Sequence, residues 1–220
     1  MSELNVEAAR RHMVESQIRP WEVLDARILE LMARAPREDF VAPQYRKLAF
    51  ADMNLPLGHG QVMMSPKVEA RLLQALEIGP NDRILEIGTG SGFVTWLLAN
   101  LGKHVYSVEI IPEFNAQAAE KLAAHGVTNV TLEVGDAARG WDRHAPYDVI
   151  LLTGSVPILA DAFRQSLAIG GRLAAIVGQP PVMEAMLIRR PGAESFTALG
   201  LFETSLPPLV NAPQPDRFVF

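Results

Sequence analysis

The densest chemical signal in the chain is Leu85-Glu86-Ile87-Gly88-Thr89-Gly90-Ser91-Gly92. Glycine at every second position allows a tight turn and lets a ligand approach the backbone closely. The apolar residues before it read as a strand, and Phe93 to Leu101 read as a helix whose first N–H groups are free. In open α/β sheets ligands bind at the carboxyl ends of strands, near the point where strand order reverses. The loop is therefore expected to hold a cofactor. The spacing is G-x-G-x-G, and Phe93 stands where the third glycine of a dinucleotide fingerprint would fall. No Gly-Lys-Ser/Thr follows, so it is not a phosphate loop either.

Three acids narrow the ligand. Glu86 lies inside the strand, where it suits an ammonium group better than a pyrophosphate. Glu109 ends the next strand, in reach of ribose hydroxyls. Asp136 follows the third strand in Gly135-Asp136-Ala137, in reach of an adenine amino group. An adenosine carrying an amino acid satisfies all three, and that ligand is S-adenosylmethionine. The expected cofactor-binding set is Glu86, Gly88, Thr89, Gly90, Ser91, Gly92, Glu109, Asp136 and Ala137. Thr153 ends the fourth core strand, close to where the methyl donor would sit, and is a substrate candidate whose hydroxyl either assists the acceptor or only satisfies backbone groups. No metal is expected: His12, His104, His125 and His144 show no ligand spacing. With no cysteine, disulfides, thiolate zinc sites and a cysteine nucleophile are excluded.

The elements that must position these residues alternate. Strands are predicted over 83–87, 104–109, 130–134, 147–152 and 171–177, with helices over 93–101, 112–125 and 158–167 between them. Two further strands, 183–190 and 196–203, have no helix between them and read as an antiparallel hairpin at one edge. This pattern predicts a doubly wound, mostly parallel, seven-stranded-type sheet of the Rossmann-like kind. Upstream, Asn5 caps a helix that Pro20 interrupts, a second helix covers 22–34, and a short third covers 43–48. Residues 51–65 read as a loop. Ser65-Pro66 opens a helix, with Ser65 as its N-cap, and Gly79-Pro80-Asn81-Asp82 stops it. The expected division is an N-terminal helical extension with a loop through which substrate enters, residues 1–80, and an α/β core, residues 81–220.

Composition is that of an ordinary globular protein: 220 residues, 49% hydrophobic, 20% charged, net charge −5. The mild acidity argues against non-specific nucleic-acid binding. Residues 1–50 hold sixteen charged residues, eight of each sign, so they read as exposed helices; residues 146–220 hold eleven and read as buried strands. The first residues carry charges of both signs with no apolar core of a signal peptide, and no apolar run is long enough to span a bilayer. The expectation is a cytoplasmic protein with no membrane partner.

Further residues carry a resemblance. The segments Leu55-Pro56-Leu57-Gly58-His59-Gly60-Gln61, Leu85 to Gly92, Val105 to Glu109, Gly135-Asp136, Gly140-Trp141, Pro146-Tyr147-Asp148 and Gly170 to Leu173 resemble the protein-L-isoaspartate (D-aspartate) O-methyltransferase family. That family is a branch of the class I S-adenosylmethionine-dependent methyltransferases. The likeness runs from Met13-Val14 to about Val177. It implies methyl transfer to an isoaspartyl carboxylate of a damaged protein or peptide, with S-adenosylhomocysteine as product. Gln61 of the Leu55 to Gln61 segment, with Asp52 and His59 beside it, is a candidate to face the substrate; for Asp52 a turn-stabilising carboxylate and for His59 a plain exposed histidine are the alternatives. One departure falls at the site itself. The family follows Gly-Gln with Thr-Ile-Ser, one residue, then proline, and this chain reads Val62-Met63-Met64-Ser65-Pro66. The family's threonine is Val62 and its active-site serine is Met64. Ser65 offers a hydroxyl one position late, and reads first as a cap. The departure keeps two alternatives open: a methyltransferase of this fold with another, less polar small-molecule acceptor, or a cofactor-binding homologue without catalysis.

Overall fold

Alternation along the central strands sets the architecture. Strand β3, Arg83–Ile87, directs Ile84 and Glu86 to one side and Leu85 and Ile87 to the other. Strand β6, Tyr147–Val156, sends Val149 and Leu151 to the first side and Ile150 and Leu152 to the second. All are buried, so the sheet is covered on both faces, as parallel sheets require. The computed structural model describes residues 5–215. The first four residues of the extension and the last five of the C-terminal tail lie outside the described residues.

The seven-stranded sheet has the order β5-β4-β3-β6-β7-β8-β9. Strands β4 (His104–Glu109), β5 (Val130–Val134), β6 and β7 (Leu167–Gln179) run parallel to β3. Strand β8 (Val182–Gly192) is antiparallel to both β7 and β9 (Ser195–Glu203). Sequence-based expectation and structure agree on this fold, and β3, β4 and β5 have the predicted limits. The chain moves from β3 out to β5 and then returns to β6 on the other side of β3. The switch point therefore lies between β3 and β6, at their carboxyl ends.

The first face is covered by α1 (Val6–Met13), α2 (Ala26–Arg34), α4 (Pro66–Leu76) and α5 (Phe93–Ala99), with Leu122 of α6 (Pro112–Ala124). One apolar cluster joins Met13, Ile28, Met32, Leu72 and Leu73 to Ile84, Val149 and Ala174, so the extension is built directly onto the sheet. The second face carries Phe163 of α7 (Asp161–Gln165), Tyr147 and Ala212 of the tail.

Several expectations are corrected in detail. The first helix does not stop at Pro20: after α1 a wide turn over 14–18 and a tight turn over 19–21 follow, and the chain reverses at Glu22 with φ 61°. Helix α2 starts at Ala26 because Asp25 caps it, accepting from the Arg27 N–H at 2.8 Å. A one-turn helix, α3 (Arg37–Phe40), was not expected. Helix α4 ends at Leu76, where Glu77 turns left-handed, ahead of the Gly79-Pro80 stop. The predicted helix 158–167 shrinks to α7, because β7 already begins at Leu167.

The largest correction concerns residues 51–65, which contain a β-hairpin. Strand β1 (Leu55–Gly58) pairs antiparallel with β2 (Gln61–Met63), with Leu55 opposite Met63 and Pro56 opposite Val62. Gly58, His59 and Gly60 all have positive φ (103°, 51° and 73°), which a glycine-flanked turn permits.

Candidate active site

A cleft with an empty volume of about 560 Å³ opens at the switch point. Ile87 and Gly88 form its floor, with Thr153 and Gly154 of β6 beside them. Glu109 to Ile111 after β4 and Gly135 to Ala138 after β5 form one side. The other side is the hairpin, through Leu57, Gln61 and Val62. Leu209 and Val210 of the tail close it from above.

Close approach explains the first glycine. A Cβ on Gly88 would lie 2.4 Å from Thr153 Oγ1, and its φ of 95° disfavours any other residue. Thr153 Oγ1 donates to the carbonyls of Ile87 (2.9 Å) and Gly88 (2.5 Å), so its proton secures the loop. Gly90, with φ 51°, donates its N–H to Glu109 Oε2 at 2.8 Å. The Ile111 N–H donates to Glu109 Oε1 at 3.0 Å. The carboxylate is thereby fixed by two backbone donors, and its remaining lone pairs are available to a diol. Asp136 is held in the same manner: Ala138 N–H donates to Oδ1 at 3.1 Å and Asn211 Nδ2 donates to Oδ2 at 2.8 Å.

Glu86 is placed differently from its expected role. It is fully buried on the first face and lines neither the cleft nor the chamber beside it. Thr95 Oγ1 and Ser107 Oγ both donate to its Oε2 at 2.6 Å, and Ser107 Oγ lies 2.6 Å from Thr89 Oγ1. Burial pushes the Glu86 carboxyl up to about 8, against the two hydroxyl donors. Its geometry is that of a brace tying β3, β4 and α5 beneath the glycine loop. Gly92 also lies off the cleft; its Cβ would meet Ala118 at 3.0 Å, so it serves the packing of α5 on α6.

The hairpin sorts the acceptor-side candidates. Met64 is buried, and with Val62 and Met63 it lines a small chamber continuous with the cleft. Ser65 faces the opposite side of the hairpin, in a shallow hollow with Asp52, Asn54 and Lys67. Its hydroxyl makes no capping bond; its own N–H donates to Asn54 Oδ1 at 2.9 Å. Ser65 is therefore neither the expected cap through its side chain nor a hydroxyl in the cleft. Asp52 pairs with Lys67 at 2.7 Å, away from the cleft. His59 sits exposed at the turn, 3.4 Å from Glu113 and edge-on to Phe114, and lines neither cavity. Gln61 lines the cleft and donates to the Pro208 carbonyl at 3.4 Å. Leu209 and Val210 of the tail line the cleft and Asn211 holds Asp136, roles that lie outside the cofactor motifs. The buried pair Arg37–Glu69 behind Met64 has no signal in the local sequence.

The cleft fits a nucleoside whose arm passes between apolar side chains over a backbone floor. Two fixed carboxylates await donors at one end, apolar side chains flank the middle, and a bare backbone floor runs below. Fold and cleft together define a Rossmann-like methyltransferase of the S-adenosylmethionine-dependent class. The profile described as protein-L-isoaspartate(D-aspartate) O-methyltransferase (PCMT) matches residues 8–211. The chain is 39% identical over 202 residues to the protein-L-isoaspartate O-methyltransferase of Protochlamydia amoebophila, covering 90% of this chain and 95% of that one. It is 40% identical over 182 residues to that of Gloeobacter violaceus, covering 82% and 89%. A solved protein-L-isoaspartate O-methyltransferase superposes with TM-score 0.78 at 22% identity, over 90% of this chain and 65% of that one. A second such structure, from Plasmodium falciparum and in complex with S-adenosyl-L-homocysteine, superposes with TM-score 0.76 at 16% identity, over 91% and 97%. The chain belongs to the protein-L-isoaspartate (D-aspartate) O-methyltransferase family. Among the described residues no helix is long and apolar enough to cross a membrane, and no group of histidines and acids could hold a metal.

Proposed function

We propose that this protein transfers a methyl group from S-adenosylmethionine to the carboxylate of isoaspartyl residues in proteins or peptides. The observation that carries the reading is the convergence of Glu109, Asp136 and Gly88 on one cleft whose far wall is the family's acceptor segment, Gln61 to Met64. Residues 1–80 supply that acceptor wall and residues 81–220 the cofactor-binding core. A wider groove of about 930 Å³ meets the cleft at Leu57, Gly90 and Phe114 and runs along Glu38 to Ala42. Its course away from the cleft past Glu38 to Ala42 supports a polypeptide acceptor.

Bound in the cleft, S-adenosylmethionine would supply a methyl carbon to an acceptor carboxylate oxygen, the carbon–sulfur bond breaking as the oxygen–carbon bond forms and neutral S-adenosylhomocysteine leaving. A carboxylate is ionised at neutral pH, its reference pKa being about 4, so no general base is needed. What the chain supplies is position and dryness. Glu109 and Asp136 fix the nucleoside end. Gly88 and Gly90 give the floor that lets the arm lie against backbone. Leu209, Val210 and the hairpin exclude water from above and from the side.

Val62 and Met64 change how the acceptor is held. Where the family places hydroxyls, the wall here is apolar, and methionine adapts its shape to what packs against it. Orientation of the acceptor must then come from shape and from the polypeptide on either side of it. Purified protein with labelled S-adenosylmethionine and an isoaspartyl peptide is expected to form a base-labile methyl ester; no ester would contradict the reading. Met64→Ser is expected to raise kcat for that peptide by roughly 10-fold, the worth of one hydrogen bond to a charged group. If instead the variant only loses activity while an apolar hydroxylated acceptor is methylated by the wild type, the less polar acceptor is correct.

A further inference from the structure

Past Gly88 and Gly90 the cleft continues into the smaller chamber, with an empty volume of about 290 Å³. Leu57, Val62, Gly88, Gly90 and Thr153 line both cavities, so they form one elongated site. Among the described residues, Glu69 of α4 is the one charged side chain on the chamber wall. Its side chain is wholly buried, as is that of Arg37. Arg37 Nη1 donates to Glu69 Oε2, and Arg37 also donates to the carbonyls of Ala49 (2.7 Å) and Met64 (2.5 Å). The guanidinium lies over the Phe93 ring, 4.8 Å from its centroid. The carboxylate is therefore held in one orientation. Its other oxygen, Oε1, is buried and has no hydrogen-bond partner among the described residues.

We propose that Glu69 Oε1 receives the α-ammonium group of S-adenosylmethionine. A buried carboxylate oxygen left without a donor is costly, and a ligand that brings one removes the cost. An ammonium brings three donors and a compensating charge. An acceptor carboxylate brings no donor to this oxygen. Acids then stand at both ends of the site: Glu109 and Asp136 toward the nucleoside, Glu69 toward the amino acid. The residue that the motif alone assigned to the ammonium, Glu86, is sealed under the loop and lines neither cavity. Burial also raises the Glu69 carboxyl to about 7 against the pull of Arg37, and a bound cation would hold it ionised. The proposal rests on the cofactor assignment but not on the identity of the acceptor.

The test is calorimetry with three ligands: S-adenosylhomocysteine, its desamino analogue with hydrogen in place of the ammonium, and 5′-methylthioadenosine, which lacks the amino-acid end. The wild type is expected to bind S-adenosylhomocysteine at least ~10-fold more tightly than the desamino analogue, about 1.4 kcal/mol. In Glu69→Gln that preference should fall to about twofold or less, with 5′-methylthioadenosine bound as in the wild type. An unchanged preference in the variant overturns the proposal. So does a parallel loss of 5′-methylthioadenosine binding, which would mark Glu69 as purely structural. If Glu69→Gln does not fold because Arg37 loses its partner, the double variant Arg37→Leu/Glu69→Leu takes its place with the same expected and contrary results. Failure of the wild type to bind any of the three would instead remove the cofactor assignment itself.

Discussion

At the scale of single residues, two acids of one motif set do opposite things. Glu109 faces the cleft and is pre-oriented by the N–H groups of Gly90 and Ile111. Glu109→Ala is expected to weaken S-adenosylhomocysteine binding by roughly 10- to 100-fold, as for the loss of hydrogen bonds to a charged group, read by calorimetry. Unchanged affinity would refute its role. Glu86 acts on stability. Its carboxyl is raised to about 8 in the folded chain, so the native state holds a proton that the unfolded state releases near its ordinary value. Its contribution is thus fully present below about pH 4.5 and is lost as pH rises toward about 8. Glu86→Gln should flatten the fall in denaturant midpoint across about pH 5 to 8; a profile as steep as that of the wild type would contradict this. The sequence showed that an acid stands at position 86. Which way it points follows from strand alternation: Leu85 and Ile87 face the second side, so Glu86 faces α5 and the first side.

At the scale of elements, the hairpin is the piece that decides the acceptor wall. Its sequence reads as a loop because the strands are short, Pro56 lies inside one, and glycines surround the turn. Those cues suit irregular chain equally well. What makes it a hairpin is tertiary: Arg37 ties the Met64 carbonyl and Glu69 from behind, and Gln61 reaches the tail. A buried arginine on a one-turn helix gives no local signal, since arginine in an N-terminal, charge-rich segment reads as exposed. The long core strands and α5 and α6 were legible because periodicity and turn residues agree there with packing. Arg37→Met leaves Glu69 buried and unpaired, and is expected to cost about 3–5 kcal/mol in chemical denaturation. Replacing both partners by apolar residues should recover most of that loss; an equal loss in the double variant would show that the ion pair is not what the site depends on.

At the scale of the whole molecule, a sheet that reverses direction between β3 and β6 leaves a crevice at one end, and three separate parts of the chain converge there. Core loops supply the floor and the acids, the N-terminal extension supplies the hairpin wall, and the tail supplies a cover. The tail is fixed by Ser155, whose N–H donates to the Pro207 carbonyl at 3.0 Å and whose Oγ donates to the Leu206 carbonyl at 2.9 Å. That anchoring places Leu209 against Gly88 and Gly154, and Asn211 on Asp136. The site is thus closed by the two segments on either side of the core, and on the proposed reading Val62 and Met64 alter the hairpin wall that both the acceptor and the amino-acid end of the cofactor meet. The central claim is that this altered wall still admits and orients an isoaspartyl carboxylate. Its most direct test is kcat/KM for methyl transfer to an isoaspartyl peptide beside its normal aspartyl twin, with the wild-type chain. We expect measurable transfer to the isoaspartyl peptide and at least ~100-fold less to its twin, a difference of about 2.7 kcal/mol. Equal rates on the two peptides, or none on either while S-adenosylhomocysteine binds, would contradict it.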